Sequence, residues 1–159
     1  MKLIRPRKTS GPDSAFTFRL TETEKDMLMA TLKLYPMLDG DYHRLSRAPQ
    51  AAGDAEQEWL EEAMNQQRIE HRKRLELFFK HDQRFFKNGA EHLRLTLTAE
   101  QMEWLLRVLN DVRVGSWVRL GRPEMESCRM LAQNEQKARY VASMELSGYF
   151  VSALLEAFV

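Results

Sequence analysis

The chain has 159 residues, 24 Lys and Arg against 23 Asp and Glu, a net charge of +1 and one cysteine. The length fits one domain with a full core, and the balanced charge excludes a strongly basic nucleic-acid coat or an acidic tail protein. Cys128 alone excludes an intramolecular disulfide, so a reducing cytoplasm is the expected compartment. The basic start, Met1-Lys2-Leu3-Ile4-Arg5-Pro6-Arg7-Lys8, has no apolar stretch behind it and does not read as a signal peptide. No window approaches roughly 18 consecutive apolar residues, so no membrane partner is expected.

In chain order, residues 1–13 read as a basic arm punctuated by Pro and Gly. Phe16, Phe18 and Leu20 then alternate with Ala15, Thr17 and Arg19, a short half-buried strand. Thr21-x-x-Glu24 is a capping box, in which hydroxyl and carboxylate satisfy free N–H groups at a helix start. Met27, Leu28, Thr31, Leu32 and Tyr35 give that helix its apolar stripe, and Pro36 ends it. The pattern recurs later in the chain: Leu93, Leu95 and Leu97 alternate with Arg94 and Thr96, and Thr98-x-x-Gln101 makes a second capping box. Two readings stand, a common local grammar or two related strand–helix units whose strands pair.

Between the units, a polar loop over about 38–53 leads into a helix predicted from Asp54 to the Gly89 stop, roughly 50 Å long if unbroken. Its N-terminal part is acidic (Asp54, Glu56, Glu58, Glu61, Glu62). Its C-terminal half is basic (Arg68, Arg72, Lys73, Arg74, Lys80, Arg84, Lys87). At 100° per residue, Leu60, Met64, Gln67, His71, Leu75, Phe78, Asp82 and Phe85 share one face, which makes His71 a core histidine ahead of a ligand or acid–base group. Arg72, Lys73, Lys80, Arg84 and Lys87 share the opposite face, a candidate interaction surface; a solvated face is weighed ahead of a phosphate-binding one.

A helix over Ala99–Leu120 stops at Gly121 with Pro123 beyond it. It is apolar on most sides, so it is central or shared with a partner. Arg113 falls among Leu106, Leu109, Trp117 and Leu120, with Asn110 one turn earlier. The pair is a candidate buried polar network, or alternatively an anion site. The last helical region, from about Glu124 to Phe158, is polar enough to break around Gln133–Lys137. Its second half places Tyr140, Val141, Met144, Val151, Leu154, Leu155 and Phe158 on one face and leaves Leu146 and Phe150 elsewhere. No Ser/His/Asp arrangement, Gly-rich phosphate loop, His-Glu-x-x-His or Cys-x-x-Cys occurs, so neither catalysis nor a cofactor or metal has positive support.

Leu105-Leu106-x-x-Leu109-Asn110-Asp111-x-Arg113, followed by Leu120-Gly121, resembles the signature stretch of a bacterial family of uncharacterised proteins, the domain-of-unknown-function family numbered two-thousand-and-seventeen. The resemblance covers about residues 92–158, with a looser echo in the N-terminal strand and helix. That family has no established activity, and the resemblance implies regulatory company at most.

The expectation is a single mainly α (α+β) domain over 1–159, a helical bundle with a small two-stranded ribbon in the order β-α-α-β-α-α. Three functions are weighed. The first is a non-enzymatic cytoplasmic interaction or regulatory protein acting as a homodimer. It rests on the long helix, on apolar surface at Trp104, Val114, Leu146 and Phe150, and on an acidic block (51–67) flanked by basic ones. The second is a nucleic-acid-binding regulator using Lys2, Arg5, Arg7 and Lys8 with the Arg72–Lys87 stripe, and the third a small-anion binder or enzyme around Arg113 and Asn110.

Overall fold

A computed structural model describes the backbone of residues 1–4, 15–38, 54–80, 85–87 and 92–158; the side chains of Asp54, Ala55, Lys87 and Met125 are outside that description. The order is β1 (Lys2–Ile4), β2 (Ala15–Leu20), α1 (Glu22–Leu32), α2 (Asp54–Lys80), β3 (Phe85–Lys87), β4 (Leu93–Thr98), α3 (Ala99–Arg119), α4 (Cys128–Leu131) and α5 (Glu135–Leu155). Short 3₁₀ turns at Met125–Ser127 and Glu156–Phe158 flank α4 and α5. The fold is mainly helical with a small sheet, as expected, but the sheet has four strands in the order β1-β2-β4-β3, all antiparallel.

The expected two-stranded ribbon is the centre of this sheet. Ala15–Leu20 pairs along its whole length with Leu93–Thr98, and the central pair is Phe18 with Leu95. Leu3 extends that row on one side and Phe85 on the other, so one apolar row, Leu3–Phe18–Leu95–Phe85, crosses all four strands. Phe18 and Leu95 have no exposed surface. They are also the residues equated when Leu20-Thr21 is laid on Leu97-Thr98. The register is therefore that of two β-β-α units, β1-β2-α1 and β3-β4-α3, related by a two-fold through that pair.

Two elements correct the sequence reading. Part of the supposed basic arm is strand β1. The long helix ends at Lys80 rather than running to Gly89, and Phe85–Lys87 forms edge strand β3. Phe85 turns inward, packing edge-on to Phe78 at 6.1 Å, while Phe86 is left 61% exposed. That in–out alternation is a strand's, and burying Phe85 against the sheet outweighs another helical turn. The helix is thus roughly 40 Å long.

Both capping boxes form. Thr21 Oγ1 accepts from Glu24 N at 3.1 Å while Glu24 accepts from Thr21 N at 2.9 Å, and Thr98 with Gln101 does the same at 3.2 and 3.0 Å. The stop after α3 is a Schellman turn: Gly121 (φ 87°) N–H bonds Val118 O and Arg122 N–H bonds Trp117 O. The polar stretch does break the last helix, and Asn134 caps α5 through Gln136 N and Lys137 N.

The helices cover one face of the sheet, with α5 lying chiefly on α3 and also on α1. Phe150, expected to face away from the core, is fully buried in it, together with Leu154, Val108 and Leu105. With its 3₁₀ end, Glu135–Phe158 is long and apolar enough to cross a membrane by length and composition alone, which a count of consecutive apolar residues had missed. Here it serves as a core helix, its Ser147 and Ala153 buried against neighbours. Tyr149 on α5 donates to Glu24 Oε1 on α1 at 2.5 Å. Burial would raise the Glu24 carboxyl, but hydrogen bonds from the Met1 amine, Tyr149 and Thr21 N–H bring it down to about 2.

Candidate functional site

The expected site residues fall in three places. Arg113 and Asn110 are both exposed, which corrects the buried network. The buried arc of α3 runs through Met102, Leu105, Val108, Leu109, Val112, Gly115 and Ser116. Arg113 lies just beyond its edge, where a guanidinium stays in water while its stem lies along apolar surface. With Val114 and Trp117 the two residues form one wall of a groove of about 580 Å³, and Met144, Glu145 and Gly148 of α5 form the other. Trp117 is fixed as wall by its Nε1–H, which donates to Pro123 O at 3.0 Å. Gly148 lies beside Arg113, where an added Cβ would stand 3.9 Å from Arg113 Nε, an ordinary van der Waals contact. Sequence reasoning missed Glu145 and did not connect Gly148 to the groove.

His71 is buried, as expected, and meets Tyr35 through Nδ1···Oη at 3.2 Å. Burial, followed by the coulombic influence of Arg107 and Arg74, pushes the imidazole below its usual range against the opposing pull of Glu70. Burial and then Asp111 push the Tyr35 hydroxyl up to about 12. Both groups are thus neutral, and the pairing that fits is Tyr35 O–H donating to Nδ1. His71 therefore ties α2 to the segment after α1. Because its folded-state pKa lies below 6.5, the unfolded chain binds more protons in the window just beneath that value. Stability from this site is complete above pH 6.5 and is lost as pH falls through the folded-state pKa. The urea midpoint is expected to drop more between neutral and mildly acidic pH for the wild type than for His71→Gln. Equal drops would place the pH dependence elsewhere.

On α2, Arg72, Lys73 and Lys80 are exposed as expected; Arg84 and the Lys87 side chain lie outside the described residues, as do Arg5, Arg7 and Lys8. Arg74, next to them, is paired with Glu70 at 2.7 Å and with Glu100 at 3.0 Å. The same outer face carries apolar side chains that the sequence reading passed over: Trp59 is 79% exposed, Leu77 53% and Ile69 39%. The signal was present, since at 100° per residue all three fall opposite His71 and Leu75.

Trp104 and Phe150, two of the residues expected to supply apolar surface for a partner, are inside. Trp104 packs against Phe78 with the rings tilted by 54° and their centroids 5.8 Å apart. Its Nε1–H finds no protein partner among the described residues. Val114 and Leu146 are only partly covered. Among the described residues no group of three or more His, Cys, Asp or Glu is placed to hold a metal. Comparison of the chain with protein-family models, with curated proteins and with solved structures gave no match.

Proposed function

We propose that the chain is a non-enzymatic interaction or regulatory protein of the bacterial cytoplasm that acts as a homodimer. The observation that carries this is the outer face of α2, where Trp59, Ile69 and Leu77 stand uncovered on a helix whose opposite face is already packed. A tryptophan left in water on a regular helix is the kind of side chain that anchors interfaces. The resemblance of residues 92–158 to the uncharacterised bacterial family stands beside this reading and adds only regulatory company. Sedimentation velocity at micromolar concentration is expected to give a dimer, and Trp59→Ser with Leu77→Ser to weaken it by about tenfold or more. A wild-type monomer at high micromolar concentration overturns the reading.

The groove between α3 and α5 favours a second reading, a small-anion binder. Arg113 and Asn110 stand at its wall beside the apolar surface of Val114, Trp117 and Met144. Glu145 on the facing helix opposes a plain anion, which places this reading second. Titration with inorganic phosphate or acetate is expected to change Trp117 fluorescence, and Arg113→Gln to abolish the change. No response at millimolar ligand removes the idea.

Nucleic-acid binding is the reading that the exposed surface favours least. Glu70 and Glu76 lie exposed among Arg72, Lys73 and Lys80, and a stripe broken by carboxylates neutralises few phosphates.

A further inference from the structure

We infer that two copies of this chain pair α2 against α2 in antiparallel orientation, across a two-fold axis that passes near Ile69. The inference rests on the homodimer reading above and names its interface. Trp59, Ile69 and Leu77 fall within one stripe about 80° wide on the outer face of the helix. Such a stripe is the width one partner helix covers. It is spaced along roughly five turns, with Trp59 near one end, Leu77 near the other and Ile69 midway.

The charges within and beside the stripe decide both the occupant and the direction. Glu56, Glu58, Glu61 and Glu62 are exposed on the N-terminal half. Arg72, Lys73 and Lys80 are exposed on the C-terminal half. A two-fold interface brings the same patch of both chains together, so the patch must complement itself. A parallel pair lays the four glutamates on their own copies and the cations on theirs. An antiparallel pair lays the acidic half of each helix along the basic half of the other, with Glu58 facing the region of Lys80. It also sets Trp59 beside Leu77 of the second copy and Ile69 beside its own equivalent. One helix thus carries both complementary halves, which favours a second copy of this chain over an unrelated protein. Glu70 and Glu76 are the acids in the basic half; Glu70 is engaged by Arg74.

The test uses single-cysteine chains in a Cys128→Ser background: Trp59→Cys and Leu77→Cys, distinguished by mass, mixed in equal amounts and oxidised. The expected result is a disulfide between the two different chains, with disulfides between identical chains absent. Glu58→Cys with Lys80→Cys repeats the experiment with Trp59 intact, should its loss weaken the dimer. Trp59–Trp59-position and Leu77–Leu77-position disulfides would show a parallel pair and overturn the inference while leaving the dimer. A sedimenting dimer with no cross-link from either pair also overturns it, by moving the interface off α2. A monomer overturns the homodimer reading itself.

Discussion

Phe18→Ala is expected to remove about 3–5 kcal/mol of folding stability, the usual cost of emptying a phenylalanine site in a core. Phe18 has no exposed surface and sits at the centre of the row Leu3–Phe18–Leu95–Phe85, in register with both neighbouring strands. A cavity there cannot be filled by a neighbour along the row, because each row member is fixed by its own strand pairing. Domains of this size have about 5–15 kcal/mol to lose in total, so the variant should unfold at far lower urea with an unchanged slope. Leu95→Ala should cost about 2–5 kcal/mol, and the double variant should depart from the sum, since the two residues share the space that each would leave. Thr96, exposed on the opposite face of the sheet, is the control. Its hydroxyl meets Thr17 Oγ1 across the strands at 3.2 Å, so Thr96→Ala should cost at most about 1 kcal/mol. A loss at Phe18 no larger than at Thr96 would remove the row from the centre of the core.

What the sequence disclosed and what it hid divide along physical lines. Features set within one turn of chain were legible. Thr21-x-x-Glu24, Thr98-x-x-Gln101, the Gly121 stop and the Asn134 break all rest on contacts two to five residues apart. Strands β2 and β4 were legible because six residues suffice to show alternation. Strands β1 and β3 have three residues each, too few for a period, and Phe85-Phe86 also continues the helical pattern of α2. Their placement is decided by the sheet edge they complete. Helix faces were legible only where one stripe was apolar. On α3, apolar on most sides, sequence could not tell that Trp104 meets Phe78 inside or that Arg113 stays in water. The groove was half visible: Asn110 and Arg113 were named, but Glu145 comes from a helix about 30 residues away, and only the α3–α5 packing brings it across.

Gly115→Ala is the sharpest expression of such a long-range constraint, because local and tertiary preferences predict opposite signs. In a helix interior the substitution should stabilise by about 1 kcal/mol. Here the added Cβ would stand 2.4 Å from Met37 Cβ, 3.0 Å from its carbonyl carbon and 3.2 Å from its Cα. Two of those atoms are backbone, and that backbone is held. Asp111 accepts from Met37 N at 2.7 Å and from Leu38 N at 3.4 Å, and Arg68 on α2 donates to Leu38 O at 3.0 Å. Ser116 Oγ adds a contact to Met37 Sδ at 3.4 Å. Gly115 and Ser116 thus form a notch on α3 into which residue 37 is clamped. Overpacking such a site costs about 1–3 kcal/mol, so a net loss is expected, read as a lower urea midpoint. The identity of the clashing atom makes a second, finer test. Met37→Ala keeps the Cβ and should not rescue Gly115→Ala, whereas Met37→Gly removes it and should recover part of the loss. A stabilised Gly115→Ala would mean that the segment after α1 does not dock on α3. The Tyr35–His71 and Arg68–Leu38 ties, which hold α2 through that same segment, would then lose their footing.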